Sequence, residues 1–263
     1  MWVKTSSPSL TRVVRGGLWL YLRSLANNLS GFIYWMAISA IGGAEIVGIT
    51  SATIALTGIV SSLLSLGEEA GVQRFVGACR GRGNSEGVAN YFWSTVLFRI
   101  ATFIPIGLAM MILGLLGLPL GDLDNSMLFY AGVMVLLNTV AVFDDLLASH
   151  LETKPVFIGS IVGNAVKLFL GIGLVLLGWG WAGAVIGYTA VTPAAFIVKL
   201  LPSLKLTRFK LHFDLQALRD VLKAGIAGWL PGMIAVLGQQ LGVLTLFGVK
   251  GASETGLYYV SFA

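Results

Sequence analysis

Charged residues are scarce in this sequence. Of its 263 residues only 11% are charged, 56% are hydrophobic, and the mean hydropathy is +0.87. A soluble globular domain carries about 25% charged residues, so this chain has too little polar surface to stay dispersed in water. The composition therefore excludes an ordinary soluble domain and predicts a surface that meets lipid.

Cysteine is also scarce, and the common signatures of catalysis are missing. The single cysteine, Cys79, permits no internal disulfide. His150 and His212 lack neighbouring ligands at metal-binding spacing, and the sequence contains neither a phosphate-binding loop nor a serine in a nucleophile elbow. The sequence thus predicts no metal, no cofactor, no ATP hydrolysis and no enzymatic activity.

Long apolar runs fill most of the chain. A bilayer crossing by an α-helix needs roughly 20 apolar residues, and seven segments provide them: 18–41, 46–66, 89–116, 127–148, 155–177, 182–201 and 224–247. An eighth segment begins at Gly256 and is cut short at Ala263, so we expect the sequence to be part of a longer protein. Because hydrocarbon requires every backbone polar group to be satisfied internally, these runs predict an all-α polytopic membrane helical bundle.

The charged residues are distributed asymmetrically between the predicted loops. If the N-terminus is cytoplasmic, the opposite loops hold one basic residue, Lys250, and the acidic residues Glu45, Asp122, Asp124 and Glu254. The cytoplasmic segments then hold most of the 17 basic residues, namely Lys4, Arg12, Arg15, Arg74, Arg80, Arg82, Lys154, Lys199, Lys205, Arg208, Lys210, Arg219 and Lys223. The positive-inside rule therefore predicts a multi-pass plasma-membrane protein with a cytoplasmic N-terminus. It also accounts for the net charge of +5 without a nucleic-acid partner.

A short motif occurs twice. Residues 43–48 and 251–256 both read Gly-Ala-x-x-x-Gly, and six crossings fit between them. Parallel repeats of six helices are one plan of membrane transporters; the alternative is a chance recurrence in a glycine-rich chain. The repeat predicts a six-helix N-terminal lobe at 1–200, a basic cytoplasmic linker at 201–223, and the start of a second lobe at 224–263. The linker is either an interfacial amphipathic helix or a solvated loop held near anionic lipid.

Three stretches together resemble a known family. They are the turn at 41–48, the helix end and basic segment at 64–76, and residues 222–231 followed by the second turn and Gly256. This layout resembles the oligosaccharide flippase, or polysaccharide transporter, branch of the multidrug/oligosaccharidyl-lipid/polysaccharide (MOP, MATE-like) exporter superfamily. The resemblance implies two helical lobes around a central cavity. It also implies alternating access that moves a polyprenyl-linked sugar or a related lipid-borne substrate between leaflets.

Ionisable residues inside membrane helices mark substrate pathways or ion pairs. Arg23, with Asn27 one turn further on the same face, lies near the cytoplasmic mouth, where a guanidinium binds phosphate oxygens bidentately; the alternative is a snorkelling arginine. Arg99 lies deeper and is predicted to be a cavity cation. The alternative for Arg99 is a buried ion pair, for which Asp144 or Asp145 is the expected partner.

Two further sites follow from the same principle. Lys167 lies near the middle of its segment with Asn164 on the same face, and we expect both to line a cavity. Asp144 and Asp145 are candidates for a coupling-ion site through a raised pKa, or they are simply an interfacial helix end.

Three cations in membrane helices favour an anionic substrate over a cationic drug. The sequence therefore predicts export or flipping of a lipid-linked oligosaccharide or polysaccharide precursor, with membrane lipid, the glycan substrate and glycan-assembly enzymes as partners. One alternative is a cation-coupled multidrug antiporter of the same fold, which would depend on Asp144 or Asp145. Another class of alternative is a membrane-embedded glycan-assembly enzyme or a scaffold subunit.

Overall fold

The computed structural model describes residues 10–117, 125–207 and 213–262. Within these ranges the chain forms helices and no strand, which confirms the predicted all-α bundle. Lys4, Asp122, Asp124, Arg208, Lys210 and His212 lie outside the described residues. The helices are α1 (Leu10–Ser65), α2 (Glu68–Gly81), α3 (Ser85–Leu116), α4 (Asn125–Leu137), α5 (Val142–Ser149), α6 (Thr153–Val166), α7 (Ile172–Leu174), α8 (Gly180–Thr189), α9 (Val191–Thr207), α10 (Leu215–Lys250) and α11 (Ala252–Phe262).

Five helical stretches are long and apolar enough to cross a membrane: Leu10–Ser65, Ser85–Leu116, Asn125–Ser149, Thr153–Thr207 and Leu215–Lys250. A 3-10 turn at Asn138–Ala141 joins α4 to α5, and π turns at Lys167–Gly171 and Val175–Trp179 flank α7. Large apolar side chains within these stretches are highly exposed; Phe169, Leu177 and Ile197 are 82%, 76% and 73% exposed. A lipid environment satisfies such a surface, whereas water does not.

Two of the five stretches fold back on themselves. A straight helix of 56 residues, the length of α1, would extend about 84 Å at 1.5 Å per residue, far more than the roughly 30 Å of hydrocarbon in a bilayer. Gly43 interrupts α1 with φ 76° and ψ 178°, a conformation that only glycine adopts readily. Gly178 and Gly180, with φ 86° and 55°, reverse the stretch from Thr153 to Thr207 in the same way. Each hairpin supplies two arms, so each predicted segment lies along a helical arm; Leu66 follows the end of α1, and Ala190 lies between α8 and α9.

The first arm of α1, residues 10–42, runs parallel to α6. The contacts between them pair Gly16 with Thr153, Arg23 with Ser160, and Asn27 with Asn164. The sequence separation is 137 residues in every pair. A constant separation requires two helices that run in the same direction and in register, which places successive polar residues of both helices at matching depths.

One end of the bundle carries the described basic residues of the predicted cytoplasmic loops. Arg12 forms an ion pair with Glu152, and Arg80 donates to the carbonyl oxygen of Ser149, so the start of α1, the end of α2 and the α5–α6 turn lie together. The opposite end consists of the turns at Gly43, Gly178 and Gly251 and of Gly117 after α3. Basic residues from two different predicted cytoplasmic segments, Arg12 and Arg80, therefore lie at the same end of the bundle, and the side of the membrane that this end faces stays a prediction.

The two copies of the repeated motif contact each other. Gly43 and Gly251 have nearly the same backbone angles, φ 76° and 85° with ψ 178° and −178°. A Cβ atom on Gly48 would lie 1.8 Å from the carbonyl oxygen of Ala252, and one on Gly256 would lie 1.8 Å from that of Ala44. These reciprocal contacts relate the second arm of α1 to α11 by an approximate two-fold arrangement.

The predicted linker at 201–223 is helical at both of its ends. Helix α9 continues to Thr207, and α10 begins at Leu215, where the Asp214 side chain accepts hydrogen bonds from the backbone N–H groups of Gln216 and Ala217. Residues 215–223 thus continue without a break into the seventh segment. The division of the chain into lobes stays a prediction.

Candidate functional site

Within the described part of the chain, two cavities border the predicted site residues. The lobe cavity, of about 430 Å³, is enclosed by both arms of α1, the end of α4, α6, the adjoining π turn, α8 and α9. The junction cavity, of about 460 Å³, lies between the second arm of α1, the start of α2, α3 and α10. Asn138 lines both cavities and donates a hydrogen bond of 2.9 Å to the Ser61 hydroxyl. The 3-10 turn that carries Asn138 therefore forms part of both walls.

Lys167 is the cation of the lobe cavity. It begins a π turn, is 5% exposed, and lines the cavity. Its Nζ lies 5.5 Å from the centroid of the Tyr34 ring and 5.6 Å from that of Tyr188. No carboxylate within the described ranges lies within 4.0 Å of this ammonium group. The aromatic faces stabilise the cation but leave its charge uncompensated, so it can attract an anion.

Two carboxamides lie close to Lys167. The Asn164 Nδ2 donates a 2.7 Å hydrogen bond to Oδ1 of Asn27, and both residues line the lobe cavity. The parallel packing of α1 and α6 brings these amides together. Paired amides retain one free donor and one free acceptor group, a combination that can bind sugar hydroxyls. Asn27, Asn164 and Lys167, singled out from the sequence, thus share one cavity.

Arg99 forms a buried ion pair with Glu68. Its Nε donates to Glu68 Oε1 at 2.6 Å, and its Nη1 donates to the carbonyl oxygen of Asn138. The guanidinium also lies 4.8 Å from the centroid of the Phe103 ring. The prediction that Arg99 pairs with Asp144 or Asp145 is wrong. The first turn of α2 packs against α3 and places Glu68 next to Arg99. Arg99 nevertheless lines the junction cavity.

Arg23 is paired too. Its Nη2 lies 3.0 Å from Asp144 Oδ2, and its Nε donates to the Ser160 hydroxyl at 3.1 Å. The other carboxylate oxygen of Asp144 accepts from the ammonium group of Lys199. Arg23 does not line the lobe cavity. Asp144 thus neutralises two cations near one end of the bundle. With both oxygens engaged in this way, its carboxylate is not free to bind a coupling ion.

Asp145 points away from its neighbour Asp144. It is 8% exposed and accepts a 2.9 Å hydrogen bond from Nε2 of Gln73 on α2. Adjacent helical residues are about 100° apart around the axis, so the two carboxylates meet different helices. Asp145 is therefore a buried carboxylate at the α2–α5 contact rather than part of either cavity.

The expectation of three uncompensated cations is only partly met. Arg23 and Arg99 each form an ion pair with a carboxylate, because removing an unpaired charge from water is costly. Of the three cations, Lys167 alone has no such ion pair within the described ranges. The membrane helices do enclose voids, however, and both Lys167 and Arg99 border one.

The structure also contains three site residues that sequence reasoning missed. Glu68 lies in the segment 64–76 that carries the family resemblance, but its ion pair with Arg99 depends on how α2 packs against α3. Lys199 was assigned to the cytoplasmic end, where its side chain is nevertheless buried against Asp144. Asn138 could have been identified from the sequence as a site residue, since it is a carboxamide inside an apolar segment.

Glu68 has an unusual environment for a carboxylate. It has no exposed surface, and its Oε2 has no hydrogen-bond partner within the described part of the chain. Burial raises the pKa of Glu68 above its ordinary value, more than the neighbouring Arg99 guanidinium lowers it. The pair therefore combines a fixed cation with a carboxylate whose protonated form is favoured by burial.

The sequence matches a family model described as polysaccharide biosynthesis protein over residues 13–261. No curated protein is similar enough in sequence to count as a match.

Several solved structures share the fold. A MOP superfamily transporter from Pyrococcus furiosus, described as having a binding pocket of reverse polarity that suggests a different function, aligns with a TM-score of 0.69 at 16% identity. An outward-facing multidrug resistance MATE family transporter of the MOP superfamily aligns with a TM-score of 0.67 at 16% identity. Both alignments cover 95% of this chain but only 60% and 59% of those proteins. The chain thus has the helical fold of these transporters and spans about 60% of their length.

Proposed function

The chain belongs to the polysaccharide biosynthesis protein family, and on that basis we propose that the protein containing it is a transporter, not an enzyme. Its substrate in this proposal is a lipid-linked oligosaccharide or polysaccharide precursor, which it flips across the plasma membrane. The N-terminus faces the cytoplasm, and the substrate enters from that side. Membrane lipid and glycan-assembly enzymes are the accompanying partners.

The observation that carries this proposal is the Lys167 ammonium in the wall of a 430 Å³ cavity. An uncompensated cation in a low-dielectric cavity attracts a phosphate or diphosphate group strongly. The adjacent amides of Asn27 and Asn164 and the Asn138 amide offer hydrogen bonds to sugar hydroxyls. A lipid-linked sugar presents both kinds of group in one molecule, since its diphosphate joins the glycan to the lipid.

Alternating access requires two bodies that separate at either end. Support for such bodies comes from two close backbone contacts at opposite ends of the bundle. At one end a Cβ atom on Gly225 would lie 2.2 Å from the carbonyl oxygen of Gly67, and at the other end Gly48 meets Ala252. Both contacts bring backbone against backbone, with few bulky groups at the point of closest approach, although Trp229 packs beside Gly67 at one end and Tyr259 packs on Trp35 near the other.

The multidrug antiporter alternative has weaker support. The residues that line the lobe cavity include no Asp or Glu within the described part of the chain, whereas a cationic drug needs a carboxylate partner. Asp144, the candidate coupling site of that alternative, is held by Arg23 and Lys199.

The experiment uses the full-length protein in liposomes that contain a fluorescent polyprenyl diphosphate-linked N-acetylglucosamine. Quenching of the outer leaflet by dithionite measures transfer, and titration in detergent measures affinity. A charge-assisted hydrogen bond contributes about 1.5–3 kcal/mol, so Lys167→Gln should weaken binding about 10- to 100-fold. Lys154→Gln, on an exposed lysine at the basic end, is the matched control and should bind as the wild type does. Equal transfer by wild type and Lys167→Gln, or transport of a cationic dye in place of the glycolipid, would contradict the proposal.

A further inference from the structure

The Glu68–Arg99 pair lies where the two predicted lobes meet. Glu68 directly follows Gly67, whose backbone packs against Gly225 of α10. Arg99 lines the junction cavity on the other side of the pair. Any group that enters this cavity from between α1 and α10 therefore approaches the guanidinium next to its carboxylate.

Other charged groups around the pair are few. Glu69, on the same turn of α2, lines the junction cavity, lies 4.0 Å from Nη2 of Arg99 and is mostly exposed. Asp145 on α5 is held by Gln73 and lies within electrostatic range of Glu69 and Arg99. Helix α10 presents backbone at Gly225 and the indole of Trp229 rather than a charge. Arg99 is thus the single described cation that can compensate Glu68.

The bonds of Arg99 leave one side of its guanidinium uncommitted. Nε donates a hydrogen bond to Glu68, and Nη1 donates one to the carbonyl oxygen of Asn138. Nη2 lies 4.0 Å from the Glu69 carboxylate, which is beyond hydrogen-bond distance. An anion in the junction cavity would bind at Nη2 first, where it would take the place of the exposed Glu69 carboxylate. A bidentate anion competes with Glu68 for the same planar group, because one guanidinium edge holds one oxyanion pair.

We propose that Glu68 is a proton-binding site coupled to occupancy of the junction cavity: when a diphosphate head group binds Arg99, Glu68 releases the guanidinium and takes up a proton. This inference rests on the proposed function, since it assumes a diphosphate-bearing substrate. The proton comes from solvent and is bound at the carboxyl group, and the diphosphate replaces the carboxylate as the counter-ion of Arg99. The proton taken up by Glu68 offsets one of the negative charges that the diphosphate brings into the site.

Two observations support this exchange. First, an ionised carboxylate that loses its partner inside a protein is strongly disfavoured, so it neutralises by protonation. Second, Oε2 of Glu68 is buried with no partner within the described residues, so a proton can reside there without displacing a hydrogen bond. Burial already raises the pKa of Glu68 above its ordinary value, which favours the uptake of that proton.

The test measures protons directly. Farnesyl diphosphate is titrated into the purified full-length protein in two buffers of different ionisation enthalpy, and calorimetry gives the protons taken up per ligand bound. Wild type should take up about one more proton per ligand than Glu68→Gln, since the amide cannot titrate. Glu68→Asp should retain the uptake. Glu86→Gln, on an exposed carboxylate in the first turn of α3, should match wild type.

The outcomes separate this inference from the proposed function. Binding of farnesyl diphosphate with equal proton uptake in wild type and Glu68→Gln overturns the coupling and leaves the proposed function intact. Failure of the wild type to bind the probe overturns both. If Glu68→Gln does not fold, infrared difference spectra of wild type decide: ligand binding should produce the carbonyl band of a protonated carboxyl group, and its absence overturns the inference.

Discussion

Replacing Arg99 with methionine isolates the contribution of the buried ion pair. Methionine is unbranched and apolar, so it fills most of the space of the arginine stem without supplying a charge or a donor. Glu68, which has no exposed surface, is then left without a counter-ion, and the carbonyl oxygen of Asn138 loses its donor.

The expected loss of stability follows from three contacts. Removing one partner of a buried ion pair costs about 3–5 kcal/mol. An independent figure comes from two unit charges about 4 Å apart, which attract by about 4 kcal/mol at an effective dielectric constant of 20. The cation–π contact with Phe103 contributes about 1 kcal/mol more. We therefore expect Arg99→Met to lower the free energy of unfolding by about 5 kcal/mol at pH 7.

The loss should depend on pH. Burial raises the pKa of Glu68 in the folded protein, and without Arg99 that pKa rises further. A carboxyl group with a raised folded-state pKa stabilises the fold at low pH, and this contribution is lost as the pH increases through that pKa. The difference between wild type and Arg99→Met should therefore widen with increasing pH, by at most about 1.4 kcal/mol per pH unit.

The assay is thermal unfolding of the purified full-length protein in detergent, followed by the fraction that stays monodisperse. At about 2–4 °C per kcal/mol, the midpoint of Arg99→Met should fall by roughly 10–20 °C. The double variant Glu68→Gln/Arg99→Met should recover much of this loss, because no unpaired charge remains buried. A midpoint within about 2 °C of wild type, or a double variant no better than the single one, would refute the reasoning.

Two further predictions concern packing and the second ion pair. Gly48→Ala should lower the free energy of unfolding by about 1–3 kcal/mol, because the new Cβ would meet the carbonyl oxygen of Ala252. The control Gly173→Ala should not lower it, since a Cβ at Gly173 would have nothing within 4 Å. Equal unfolding midpoints for the two variants would contradict the contact. Asp144→Asn should cost only about 1 kcal/mol, since the pairs of Asp144 are partly exposed, and should leave farnesyl diphosphate binding unchanged. Lost binding with an intact fold would instead favour Asp144 as a coupling site.

The membrane helices could be predicted from the sequence because their cause is local. A run of apolar residues must be helical in lipid wherever its neighbours lie, so the segments, the glycine turns and the asymmetric charge all followed from composition and order. The same principle identified Arg23, Arg99 and Lys167 as residues that need an explanation inside a membrane.

The partners of those residues could not be predicted in the same way. Matching depths along the helices suggested Asp144 or Asp145 for Arg99, but depth does not specify which helices are adjacent or which faces meet. Helix α2 folds back beneath α3 and offers Glu68, while Asp144 turns towards Arg23 and Lys199. Each pair joins residues from different helices, so no spacing within one helix encodes it.

The sequence by itself determined that this chain threads a bilayer as helices and that a few polar groups lie within it, because the free energy of each segment in lipid depends on that segment alone. Only the tertiary structure decided which cation stayed uncompensated. An ion pair depends on two helices meeting within a few ångströms, and that proximity is a property of the packed bundle.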